Sequence, residues 1–185
     1  MTRIGLLSDT HGLLDKRVLK HFANVDEIWH AGDIGNSEVL QTLREFKPTR
    51  AVYGNMDSGD VRYSLSEFYR FRVEDVNVLM THIGGYPGKY NPWLIPMFQK
   101  SNSLKAWEAW EKGESTEKTQ SPPIDLFVCG HSHILKVQYD HQWKMLTMNP
   151  GAAGKQGWHP VQTLIRFVID KHLIQDLEVI KLERL

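Results

Sequence analysis

Cys129-Gly130-His131-Ser132-His133 is the stretch on which the reading of this chain turns. It follows a short apolar run, Ile124 to Val128, that reads as a buried strand. Gly130 is placed to let the backbone turn sharply, because glycine pays no Cβ penalty at positive φ. In an extended segment His131 and His133 share a face, whereas in a turn they can straddle two neighbouring metal ions. Alone, such a pair is more often a surface or hydrogen-bonding pair than a pair of ligands. It gains weight from four other groups along the chain. Asp9 and His11 follow Ile4-Gly5-Leu6-Leu7-Ser8, and Asp33 follows Ile28-Trp29-His30-Ala31-Gly32. Asn55 follows Ala51-Val52-Tyr53-Gly54, and His82 follows the run from Val76 to Thr81. Each lies just beyond an apolar, β-prone run, and open α/β sheets place their chemistry there, outside the carboxyl ends of strands.

Each candidate also has an ordinary explanation. Asp9 can stabilise the turn before Gly12, and His11 can be a solvated loop residue. Asp33 and Asn55 sit in Gly-Asp and Gly-Asn pairs that turns commonly use, and His82 can hydrogen-bond a loop carbonyl. The order of the whole series decides between the readings. Asp-x-His, Gly-Asp, Gly-Asn, His and Gly-His-x-His together resemble the motif series of the calcineurin-like metallophosphoesterases. The likeness is to their small single-domain branch of bacterial and archaeal phosphodiesterases, and it covers nearly the whole chain, Asn149-Pro150-Gly151 included.

That resemblance implies an α/β (α+β mixed) fold of two packed mixed β-sheets flanked by helices, with residues 1–185 as one domain. It implies two divalent ions, Mn²⁺ foremost, with Fe, Ni, Zn and Mg as alternatives. One ion takes Asp9, His11, Asp33 and His133, the other takes Asp33, Asn55, His82 and His131, and Asp33 bridges them. The same seven residues form the catalytic set. Ions so held sit ~3.5–4 Å apart and share a hydroxide that attacks phosphorus, while their charge offsets that on the phosphoryl oxygens. The implied activity is phosphodiester hydrolysis, with phosphomonoester hydrolysis or nucleotide pyrophosphate cleavage as alternatives on the same site. A third reading is a protein-binding scaffold like the eukaryotic retromer subunit of this fold, whose metal site is degraded. All seven ligand positions are filled here, which disfavours the scaffold. One departure stands out. Larger relatives carry histidine directly after Gly-Asn to protonate the leaving group, and this chain has Met56. Methionine donates no useful proton, so substrates with good leaving groups are favoured.

Composition sets outer bounds. Lys plus Arg and Asp plus Glu are 22 each, for a net charge of zero over 185 residues. An extended nucleic-acid surface needs a basic excess that is missing, whereas a small phosphate ester can be met by bound metal charge. The single cysteine, Cys129, excludes an intrachain disulfide and suits a reducing cytoplasm. Its expected role is a small buried strand residue. Neither a signal peptide nor an apolar run of ~20 residues is evident, so no membrane association is expected. A homo-oligomer stays open.

In chain order, Thr2 to Ser8, Asp26 to His30 and Arg50 to Tyr53 read as strands. Helices capped by Asp15 and by Asn36 or Ser37 alternate with them, which makes a parallel βαβαβ unit. Glu67 to Val73 and Val76 to Thr81 read as a hairpin. A glycine- and proline-rich loop over 84–92 leads to one helix over Leu94–Lys112 and a polar linker over Glu114–Pro123. Leu135–Tyr139, Trp143–Met148, Val161–Ile169 and Leu173–Ile180 are expected to form a second, mostly antiparallel layer. His21, His30, His141 and His172 read as structural or solvated, while His159, after Asn-Pro-Gly, is a candidate for touching substrate phosphate. The 84–123 region reads either as a lid carrying Tyr90 and Trp93 to the substrate or as a helix covering a sheet edge.

Overall fold

In chain order the elements are β1 (Thr2–Leu7), α1 (Lys16–His21), β2 (Glu27–His30), α2 (Ser37–Phe46), β3 (Thr49–Ala51), α3 (Gly59–Ser64), β4 (Phe68–Val73) and β5 (Val76–Thr81). There follow β6 (Gly85–Tyr86), β7 (Lys89–Tyr90), α4 (Ile95–Asn102), α5 (Leu104–Glu111), β8 (Leu126–Val128), β9 (Leu135–Asp140), β10 (Met145–Pro150), β11 (Val161–Asp170) and β12 (Leu173–Glu183). The structure, a computed structural model, describes residues 1–112 and 122–184, so most of the expected polar linker lies outside the described residues.

Local chemistry explains the boundaries. Asp15 caps α1 by accepting from the Arg17 amide, and Asn36 caps α2 by accepting from the Val39 amide at 3.0 Å. Val39, Leu40 and Leu43 form the buried face of α2, which ends ahead of Pro48 because the residue before a proline disfavours helical backbone. The single helix expected over Leu94–Lys112 is two. Ser103 is extended, with ψ of 156°, and its hydroxyl accepts from the Ala106 amide, so it ends α4 and caps α5. α3 was not expected.

Two five-stranded mixed sheets stack face to face, in the orders β12-β11-β1-β2-β3 and β4-β5-β8-β10-β9. β1, β2 and β3 run parallel, as do β5, β8 and β10. The expected second layer therefore needs correction. β9 and β10 belong to it, but its centre is parallel, and β11 and β12 join the first sheet. β11 pairs antiparallel with the free edge of β1, with Thr2 opposite Ile169, which covers a row of otherwise unpaired backbone groups. Between the sheets pack Ile4, Leu6, Trp29, Met80, Val128, Ile165 and Phe167. α1 and α2 cover the outer face of the first sheet through Val18, Phe22 and Leu43. α4 covers the second through Phe98, against Leu79, Phe127 and Met145. No helix among the described residues is long and apolar enough to cross a membrane.

Candidate metal centre

Parallel strands of both sheets deliver their carboxyl ends to one place. Asp9 follows β1, Asp33 follows β2, Asn55 lies beyond β3, His82 follows β5, and His131 and His133 lie beyond β8. The turns there are unusual. Among the described residues nine non-glycine positions have positive φ, and five of them are Asp9, His11, Asp33, His131 and His133. A left-handed backbone costs an L-residue ~1–2 kcal/mol, so the surrounding bonds must hold it. They do so by stitching loop to loop. The amides of Asp9, His11 and Gly12 donate to the carbonyls of Gly32, Asp33 and Ile34 at 3.0, 3.0 and 2.7 Å. Gly130 N donates to His82 O at 3.0 Å. Gly130 itself does not have positive φ, contrary to expectation. It is needed because a Cβ there would stand 2.0 Å from Ser8 Oγ and 2.8 Å from Asp9 Oδ2.

The side chains converge on Asp9, which is fully buried. Its Oδ2 is taken by Ser8 Oγ at 2.6 Å and by the His131 amide at 3.2 Å. Its Oδ1 has no hydrogen bond and stands 3.0 Å from His133 Nε2, 3.8 Å from His11 Nε2 and 3.9 Å from His82 Nε2. His82 makes a second convergence. Its Nδ1 lies 2.8 Å from Ala31 O and can only donate there, so in the neutral ring Nε2 carries the lone pair. That lone pair faces Asp33 Oδ2 at 3.1 Å, and Nε2 makes no aligned hydrogen bond. Two acceptors facing each other in a buried space need a positive charge between them, either a proton or a metal ion. Metal-ligating atoms thus gather in two groups, Asp9 with His11 and His133, and Asp9 with Asp33 and His82. Both groups can hold a divalent ion, and the mixture of imidazole and carboxylate suits a transition metal. The residue they share is Asp9, whereas the resemblance gives the bridge to Asp33. His131 lies outside both groups, edge-on to His82 at 5.3 Å between ring centroids, and Asn55 lines a cleft with His82.

The charges respond to this crowding. The Asp9 carboxylate beside His133 raises that imidazole above its ordinary pKa. Burial works to lower His82, but Asp33 and Asp9 outweigh it, and the net shift is upward. Burial lowers His131. Asp33 is lowered, because His82 and the Met56 amide outweigh a burial effect of opposite sign. Cys129 is buried and its thiol is pushed up to about 12, which leaves it inert, as a packing residue should be.

Three residues brace these loops in ways the sequence did not specify. Asp57 is 3% exposed and accepts from the amides of Ile34, Gly35 and Gly54 at 3.1, 2.7 and 2.8 Å. It ties the Asp33 loop to the Asn55 loop. His30 accepts from the Gly32 amide through Nδ1 at 3.2 Å, so its Nε2 donates to Thr10 Oγ1 at 2.9 Å, and Thr10 donates on to Ile34 O. Burial lowers its pKa to about 4 and keeps it neutral. Asn149 donates to Gly130 O at 2.7 Å and to Ser132 Oγ at 3.1 Å, bracing the turn between the two histidines. In the sequence Asn149 was marked by its place in Asn149-Pro150-Gly151 and His30 by its place inside a strand, while Asp57 carried no such mark.

Other expectations need revision. His159 accepts from the Leu135 amide at 3.0 Å, so that nitrogen is spent on the fold. Tyr90 bonds Asp140 and Thr147 through its hydroxyl and packs edge-on against Phe98 and Phe127. It anchors α4 to the second sheet, which is the covering role and not the lid role. Trp93 is half-buried against Phe68. Met56 projects into solvent, 65% exposed, and serves the site through its amide, which donates to Asp33 Oδ1 at 2.8 Å.

Comparison with known proteins agrees with this geometry. The family model of the calcineurin-like phosphoesterase superfamily domain matches residues 2–172. A probable metallophosphoesterase of Mycoplasma genitalium is 26% identical over 185 aligned residues, 97% of this chain and 94% of that one. One of Methanocaldococcus jannaschii is 44% identical over 59 residues, and the match spans only 31% of that protein and 29% of this chain. Among solved structures, a novel archaeal phosphodiesterase superposes with a TM-score of 0.61 at 20% identity, over 96% of this chain and 99% of its own. Vps29 of Entamoeba histolytica complexed with Zn²⁺ gives 0.63 at 14% identity, over 97% and 98%. At such identities these two likenesses speak for the fold.

Proposed function

The chain belongs to the calcineurin-like phosphoesterase superfamily, and from that premise we propose that it is a metal-dependent phosphodiesterase acting on a small phosphate ester. The observation that carries the proposal is the pair of buried, unpartnered ligand atoms, Asp9 Oδ1 and His82 Nε2, facing the other donors of the centre. Asp9, His11, Asp33, His82 and His133 would hold the metal, with Asn55 and His131 completing two coordination sets as the resemblance implies. Divalent ions, Mn²⁺ by preference, would supply Lewis acidity and an activated water at neutral pH.

The chain's own residues do the rest. Ser8 and the His131 amide hold Asp9 so that only Oδ1 points at the centre. Ala31 O fixes the His82 tautomer with the lone pair toward Asp33. The Met56 amide occupies Asp33 Oδ1 and leaves Oδ2 facing His82. Asp57, the acid that follows Met56, is engaged by three backbone amides and is not free to protonate a leaving group. With no donor at position 56, the reading favours phosphodiesters with weakly basic leaving groups over alkyl monoesters.

The test is metal content by elemental analysis, together with turnover of a panel of aryl diesters, monoesters and dinucleotides with added Mn²⁺, for the parent and Asp33→Ala. Close to two metal ions per chain and aryl diester turnover, both lost in Asp33→Ala, are expected. Monoesters or pyrophosphates turned over faster than diesters would replace the substrate class. A chain that takes up no metal would overturn the enzyme reading in favour of a scaffold.

A further inference from the structure

A cleft of about 250 Å³ adjoins the candidate metal centre. Two residues that line it, Asn55 and His82, belong to the proposed ligand set. Three others, Tyr53, Arg62 and Glu67, have no part in that set. Arg62, on α3, lays its guanidinium over the Tyr53 ring, 4.2 Å from the centroid. Stacking of this kind holds the guanidinium plane while leaving its N–H edge free to donate. Among the described residues the arginines with a carboxylate partner are Arg3, Arg17, Arg50, Arg72 and Arg166, and Arg62 is not one of them. Glu67 Oε2 accepts from the Tyr53 hydroxyl at 3.4 Å. A preorganised, unneutralised arginine therefore shares a cleft with two candidate metal ligands.

We propose, on the reading that the centre is a phosphodiesterase, that this cleft receives the ester arm beyond the scissile phosphate. Arg62 selects arms that carry an anionic oxygen group, a carboxylate or a second phosphate. The volume falls below that of pockets for drug-sized ligands, which suits a short arm. Arg62 offers paired N–H groups to such an acceptor, in the geometry that carboxylate and phosphate take best. Glu67 opposes the same group by its charge and moderates the selection. Specificity then resides in the 53–67 segment, not in Tyr90, which is committed to the fold.

The experiment is calorimetric titration of the Mn²⁺-loaded protein with two non-hydrolysable ligands, butylphosphonate and 4-phosphonobutyrate. They differ by the terminal carboxylate. In the parent the carboxylate should tighten binding about threefold, the scale of one charged pair at an exposed arginine. Arg62→Gln should bring the two constants together by weakening the carboxylate-bearing ligand alone. Glu67→Gln should widen the gap about threefold. The inference is overturned if the parent binds both ligands equally, or if neither binds. It is also overturned if Arg62→Gln weakens both alike, which would place Arg62 on the phosphate itself. Turnover of 4-nitrophenyl ethyl phosphate on the same preparation keeps the two readings apart. Carboxylate selection without any turnover would sink the phosphodiesterase and leave the anion subsite standing.

Discussion

Asp57→Ala should damage the fold and the metal centre together, by an amount that follows from its three bonds. The carboxylate is buried and accepts from the amides of Ile34, Gly35 and Gly54. Alanine leaves these donors without an acceptor, at about 1–3 kcal/mol for each buried one. They share one acceptor and one small region, so the penalties do not add fully, and about 3–5 kcal/mol in total is expected. A domain of this kind has only about 5–15 kcal/mol to lose. At about 2–4 °C per kcal/mol, the midpoint should fall by roughly 10 °C. Asp57→Asn keeps one acceptor oxygen but turns an NH₂ toward a backbone N–H, and should fall between the two. Urea melts in the presence of chelator would read the fold, and Mn²⁺ titration of the folded variants would read the centre. A cost under about 1 kcal/mol in Asp57→Ala would refute the reasoning about the three amides. A large cost with unchanged Mn²⁺ affinity would refute the claim that Asp57 positions Asp33.

Two further outcomes are expected. Neutral, buried His30 titrates near pH 4 when folded and near its ordinary 6.5 when unfolded. Between those values the unfolded chain binds the extra proton, so stability should fall as pH drops through that window, by about 3 kcal/mol in all. The non-titrating His30→Gln should show a flatter acid limb in urea melts, and an identical slope in both proteins would contradict this. Tyr90→Phe strips a hydroxyl from Asp140 and Thr147 and should cost about 1–3 kcal/mol of stability. KM for a small chromogenic diester should stay unchanged, and the reverse pattern would restore the lid.

The candidate centre was legible wherever a strand end announces itself locally. Apolar runs ending in Ser8-Asp9, Gly32-Asp33, Gly54-Asn55 and Thr81-His82 state both the strand and the residue that leaves it. What those residues lean on was not legible. His30 looks like any strand histidine, and Asp57 like any loop acid, until the turn at Gly32 and the loop at Gly54 are brought beside them. Sheet membership was equally hidden. Val161–Asp170 carries Ile165, Phe167 and Ile169 on one face and Gln162 and Arg166 on the other, and nothing local says whether it joins β10 or crosses to β1. That choice is made by long-range pairing. The need for Gly130 was visible, but its cause, the approach of Ser8 and Asp9, depends on a contact across most of the chain.

The pairing of Thr2 with Ile169 has a consequence for biosynthesis. Asp9 and His11 leave the ribosome well before β11, the strand that flanks β1 in the sheet. Closing so long a loop is slow and earns nothing until the far contacts form. The same holds for His133, whose turn waits on β8 and on Asn149. Fragments that stop short of β11 thus carry the candidate ligands with no cage to put them in. The candidate cage is accordingly complete only once β11 and Asn149 are in place.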